Sequence, residues 1–162
     1  MAGFKEKKMV LKKLREDIRN ELKKLDKRIE SAKLRMIDAP GAMQSHHDTT
    51  KVETGWLIDG FAKQSVLLEG AMGIIDRLSA SMDPRNERET VGAYALVTLE
   101  DENGEVLNYL LLRNGQGRKV EHSEITATVI DPSTPLAHKL VGKEVGDVIE
   151  INGKELEITE II

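Results

Sequence analysis

The chain has 162 residues, enough for one medium domain or two small ones and too few for a large multidomain enzyme. Lys and Arg number 24 against 28 Asp and Glu, a net charge of −4, and 32% charged with 40% hydrophobic residues suit a folded globular chain. Aromatic residues make up 3%, which argues against stacked-base platforms and aromatic cages, and the absence of Cys excludes disulfides, thiolate metal sites and cysteine nucleophiles. A reducing, cytoplasmic setting is the expectation.

The Lys-rich start, Met1 to Lys13, is not followed by an apolar block, so no signal peptide is expected. The longest strictly apolar run, Ala93 to Val97, falls far short of the ~20 residues that span a membrane, so no membrane role is expected either. The near-neutral total hides an asymmetry: residues 1 to 37 hold 13 basic and 6 acidic side chains, whereas residues 83 to 162 hold 8 basic and 16 acidic ones. Such a division bears on partners rather than on fold.

Residues 5 to 37 lack Gly and Pro, and Leu11, Leu14, Ile18, Leu22, Leu25, Ile29, Ala32 and Met36 recur in threes and fours. That spacing predicts a coiled-coil helix, with the consecutive fours at Leu14, Ile18 and Leu22 acting as a stutter. Asp38-Ala39-Pro40-Gly41 ends it. After a polar stretch, Met43 to Thr54, apolar spacing resumes at Leu57, Phe61, Ser65, Leu68, Met72, Ile75 and Leu78. The expectation is an antiparallel helical hairpin over residues 1–82 with a polar tip. Gly60, Gly70 and Gly73 inside the second helix cost up to ~1 kcal/mol each, and close approach of the two helices is the simplest reason for them.

From Thr90 the period changes to alternation, which predicts a second, α+β domain over residues 83–162, a mostly antiparallel sheet with one short helix. Val91, Ala93, Ala95, Val97 and Leu99 form one strand face, Asp101 to Gly104 a turn, and Val106 to Leu112 the returning strand. Ile125 to Ile130 reads as a third strand and Pro135 to Val141 as a short helix closed by Gly142. Val148 to Ile151, Asn152-Gly153 and Glu155 to Ile162 read as a terminal hairpin.

The stretch Thr134-Pro-Leu-Ala-His-Lys-Leu-Val-Gly-Lys-Glu-Val-Gly-Asp147, continued by Val148-Ile-Glu-Ile-Asn-Gly-Lys154, resembles the C-terminal signature of the Gre-type transcript cleavage factors. Thr134 stands where the family usually has Ser. The resemblance implies an FKBP-like C-terminal domain docked on RNA polymerase through Asp131, Ser133, Thr134, Pro135 and Leu136. It also implies a coiled coil reaching through the secondary channel toward the polymerase active site. Acidic groups at the coiled-coil tip would help the polymerase hold a second Mg²⁺ and cut backtracked RNA itself, which suits a hard cation that prefers oxygen ligands.

The family's usual tip run is absent, and Ser45-His46-His47-Asp48-Thr49-Thr50-Lys51-Val52-Glu53-Thr54-Gly55 takes its place. Asp48 and Glu53 are the carboxylates best placed to substitute for it, and Lys51 to Gly55 is similar to an element of shorter Gre-like proteins. Both acids also fit a plain reading as a turn residue and a helix-start charge. His46 and His47 beside Asp48 lack the converging donors of a metal site, and no stably bound metal or cofactor is expected beyond Mg²⁺ shared with the polymerase. Arg19, Lys23 and Lys27 belong to a basic face that the resemblance turns toward the 3′ end of nascent RNA.

The expected partner is therefore RNA polymerase and the expected role that of an accessory factor, itself not an enzyme, which stimulates or modulates cleavage. A channel-occupying inhibitor shares every docking feature. A peptidyl-prolyl isomerase would need an aromatic-lined apolar pocket, for which the second half offers Tyr94 and Tyr109 alone. A coiled coil binding nucleic acid without polymerase is opposed by the acidic second half. A monomer is expected, with self-association through the exposed face of the hairpin left open.

Overall fold

Threes and fours between apolar residues put one stripe of a helix toward a partner, and α1 (Ala2–Asp38) buries Leu11, Leu14, Ile18, Leu25 and Ala32 on that stripe. The computed structural model describes residues 2–38, 49–83, 88–123 and 125–162. Antiparallel to α1 runs α2 (Thr50–Ser81), which contributes Leu68, Ala71 and Ile75, with Phe61, Met72 and Leu78 beside them. Arg15 pairs with Asp76 across the hairpin, and Gln64 Nε2 donates to Glu21 Oε1 at 2.9 Å.

The seam thins out distally. Met36 and Leu57, which the spacing assigns to it, are exposed. The glycines of α2 do not mark close approach to α1: a Cβ at Gly60 or Gly73 would meet nothing within 4 Å among the described residues, and one at Gly70 would have Asn114 Nδ2 nearest at 3.6 Å. They lie outside the α1–α2 contact, so the expected reason for them is overturned.

Beyond the hairpin come β1 (Leu96–Asp101), β2 (Val106–Leu111), β3 (Lys119–His122), β4 (Ile125–Ile130), α3 (Pro135–Leu140), β5 (Val148–Ile151) and β6 (Lys154–Ile161). The strands form one sheet in the order β3-β4-β2-β1-β6-β5, antiparallel throughout except for the parallel pair β2 and β4. The α+β class and the order of parts are thus as the sequence predicts. Two local expectations change. The first strand starts at Leu96 and not near Val91, because Ala95 N bonds back to Gly92 O at 3.2 Å and Tyr94 takes φ 65°, a turn. β3 is an added strand at the sheet edge. Asn152-Gly153, at φ 53° and 78°, is the tight turn that its sequence demands.

Alternation along the strands divides the sheet into two apolar faces. Leu96, Leu110, Leu112, Val120, Ala127 and Val129 pack with the hairpin residues Val10, Leu14, Ile18, Leu25 and Ile75. Val97, Leu99, Leu111, Ile130, Ile149 and Ile158 pack on the other face with Ala137 and Leu140 of α3. The hairpin base and the sheet therefore share one core, which runs across the expected division at residues 82 and 83. Among the described residues no helix is long and apolar enough to cross a membrane.

Candidate functional site

Two contacts fix the direction of the arm. Near its start, Lys7 is 6% exposed and its Nζ donates to Ile162 O at 2.8 Å, the same oxygen that accepts from Leu96 N at 2.8 Å. Burial, with Arg88 nearby, pulls the Lys7 ammonium down to about 8. Farther along, Arg118 reaches from the segment between β2 and β3 to pair with Glu21, and this pairing, above all its hydrogen bond, lowers the Glu21 carboxyl. Among the described residues Arg118 Nε is buried without a hydrogen-bond partner, so there the guanidinium is held mainly by that ion pair. Neither anchor was singled out from sequence, although stepping back four residues from Leu11 lands on Lys7, the next position of the same seam.

The distal end stands clear of the sheet. Asn114 Nδ2 contacts Leu67 O at 3.5 Å, and Glu53 lies about 20 Å farther along the axis of α2. Glu53 N donates to Thr49 O at 2.9 Å, and the Thr49 hydroxyl donates to Glu53 Oε1 at 2.8 Å. An exposed carboxylate is thus steadied in the first turn of a helix, where the unpaired N–H groups favour negative charge. Asp48, His46 and His47 lie outside the described residues. Toward this end the arm exposes apolar side chains among its charged ones: Leu34 and Ile37 of α1 and Val52, Trp56 and Leu57 of α2.

Arg19, Lys23 and Lys27 are exposed on α1 at spacings of four, which sets them one above another on one face. Among the described residues Lys23 and Lys27 make no ion pair, and both side chains are exposed. The charge of Arg19 reaches Asp76 and adds to the lowering of that carboxyl, which is due first to Arg15.

On the head, the loop after β4 is closed on itself and on Asn114. Asp131 Oδ2 accepts from Asn114 N at 2.8 Å, and Oδ1 accepts from Ser133 N at 2.9 Å and Ser133 Oγ at 2.6 Å. These bonds, the Ser133 hydroxyl first, hold the Asp131 carboxyl below its usual range. Thr134 Oγ1 donates to Asp131 O at 2.8 Å and accepts from Ala137 N at 3.3 Å, capping α3, with Pro135 in its first turn. Leu136 packs into the core beneath, while Ser133 and Pro135 stay exposed. The loop is a rigid knob: Asp131 organises it, and Ser133 and Pro135 are what it presents.

Tyr94 packs with the hairpin-side core and Tyr109 with the opposite one, so the two rings do not line one pocket. A concavity of about 340 Å³ over β1, β5 and β6 is lined instead by Glu100, Asp101, Glu102, Glu155 and Glu157 with Val148 and Thr159. A basic arm and an acidic head give the molecule a strong charge asymmetry.

No family model matches this chain, and no curated protein matches it. Among solved structures, GreA factor homolog 1 of Thermus thermophilus is similar at 17% identity over 91% of this chain and 94% of that one, with a TM-score of 0.38. A structure described as the transcription factor Gfh1 gives 18% identity over 93% and 94% of the two chains at 0.37. Gfh1 of Thermus aquaticus gives 19% over 90% and 92% at 0.37. Superpositions at this level carry no argument about activity, which rests on the residues themselves.

Proposed function

We propose that this chain is a Gre-like accessory factor of RNA polymerase. Its head docks on the enzyme, and its arm enters a narrow channel and brings the Glu53 carboxylate to the catalytic metal. The observation that carries the reading is a steadied, exposed carboxylate at the far end of a two-helix arm whose base shares a core with the head. The signature from Thr134 to Lys154, which folds as α3, β5 and the turn into β6, supports it, and the FKBP-like kinship of the head belongs to the same proposal.

Among the described residues no three acidic or histidine side chains come close enough to hold a metal ion, so what Glu53 offers is one oxygen ligand to an ion that needs about six. The polymerase would supply the others and perform the hydrolysis, with Asp48 as the second candidate carboxylate. Arg19, Lys23 and Lys27 would run beside the extruded RNA 3′ end, and the work would be done in the cytoplasm.

A second reading, occupation of the channel without cleavage, is favoured by the bond from Thr49 that already engages Glu53 Oε1. Pull-down of purified RNA polymerase and a cleavage assay on a backtracked complex separate the two. Cleavage lost in Glu53→Gln or Asp48→Asn with binding intact supports metal assistance. Binding that suppresses synthesis without cleavage supports occupation, and absence of binding overturns both. Turnover of a prolyl peptide would do so as well, in favour of an isomerase.

A further inference from the structure

Val52, Trp56, Asp59, Lys63, Val66 and Gly70 follow one another on α2 at spacings of 4, 3, 4, 3 and 4. That is a second heptad seam. All six are exposed, Trp56 at 72% and Val66 at 67%. The seam lies nearly opposite the packed one, since Trp56 is two residues, roughly 200° of rotation, from the buried Thr54. Scattered apolar residues on a surface need no explanation, but a periodic row on a helix already packed along its other side is, among the described residues, a face without a partner. We propose that a second copy of this chain covers it, the two α2 helices meeting antiparallel about a two-fold axis level with Phe61.

Self-complementarity identifies the occupant. In an antiparallel pair each a position faces a d position of the other helix, and a two-fold axis makes every contact twice. About residue 61 this sets Trp56 against Val66 of the second copy, Asp59 against Lys63, and Val52 against Gly70. Opposite charges meet at the centre and apolar pairs flank them. Parallel pairing in register would oppose Asp59 to Asp59 and Lys63 to Lys63 instead. Lys63 Nζ already lies 2.7 Å from Asp59 Oδ2 within one copy, so the central charges exchange partners on association rather than losing a solitary hydration shell. Opposite Val52, Gly70 adds no side chain of its own, and Asn114 Nδ2 of the head, 3.6 Å from its Cβ position, borders that end of the seam.

Of the glycines that fail to explain the packing of α2 on α1, Gly70 thus belongs to this outer face. A seam of about five turns is short for an obligate interface, so the dimer is reversible and in the micromolar range. Its charged central layer lowers affinity but fixes orientation and register.

Sedimentation velocity on the full chain from about 1 μM to about 500 μM tests this, with emission from Trp56, the one Trp in the sequence, as a second readout. A monomer–dimer equilibrium with a blue shift of Trp56 on association is expected. Asp59→Lys should weaken association about tenfold, and Asp59→Lys combined with Lys63→Asp should restore it, because the reversed pair is again complementary. Trp56→Ala should leave a monomer that circular dichroism reports as helical as the parent. A chain that stays monomeric throughout, a dimer indifferent to Trp56→Ala and Asp59→Lys, or a double variant as weak as the single one overturns the proposal.

Discussion

Replacing Lys7 with Met separates the burial of a charge from the packing around it. Lys7 ionises at about 8 in the folded chain against 10.5 when exposed, because burial and, secondarily, Arg88 oppose its charge. Between those values the unfolded chain binds more protons than the folded one, so stability rises with pH across the window. Below about pH 8 both states are protonated and the folded state carries the full penalty, about 3 kcal/mol for a shift of this size. By about pH 10 roughly 2.5 kcal/mol of it has been recovered. Lys7→Met removes this dependence and also the bond to Ile162 O, but the lost bond is a constant offset. The measurement is urea unfolding of both proteins from about pH 7 to pH 10. Other lysines and the tyrosines cancel in the difference, which should move by about 2.5 kcal/mol in favour of the parent as pH rises. A difference flat across the window would refute the burial of an ammonium at this position.

Arg118 and Glu21 tie the arm to the head, and Glu21→Gln should cost about 2 kcal/mol by leaving a half-buried guanidinium poorly paired. A double-mutant cycle with Arg118→Ala should return a coupling of about 1 kcal/mol, and no coupling would mean that the pair is only a surface contact. Asp131, with its lowered carboxyl, adds stability that is present above its unfolded value and lost as pH falls through its folded value. Asp131→Asn should therefore flatten the acid limb of unfolding below about pH 4, while an unchanged limb would discard the role of the loop bonds.

What could be read from sequence followed periodicity. The stripe from Leu11 to Ala32 is a long, repeated signal, and burial agrees with it until Met36, where there is no longer a neighbour to pack against. β3 carries a single buried apolar residue, Val120, in Lys119 to His122, so alternation could not announce it, and its pairing with β4 supplies the order instead. Val91 and Ala95 are buried although they precede the strand, while Ala93, which alternation assigns to the same face, is exposed, because a turn with positive φ at Tyr94 interrupts the extended backbone. Lys7 is not legible in the sequence because a charged residue ordinarily signals exposure. The knob from Asp131 to Leu136 was found through its resemblance, while its internal hydrogen bonds became visible only in three dimensions.

β6 sits between β1 and β5, in the interior of the sheet, and its partner β1 lies more than fifty residues earlier in the chain. During translation the two helices can zip together early, but Val97, Leu99 and Leu111 on the far face of the sheet must wait for Lys154 to Ile161 to leave the ribosome before that core can close. Until then the nascent protein carries a greasy, uncovered sheet face, a natural landing site for a chaperone at the tunnel exit.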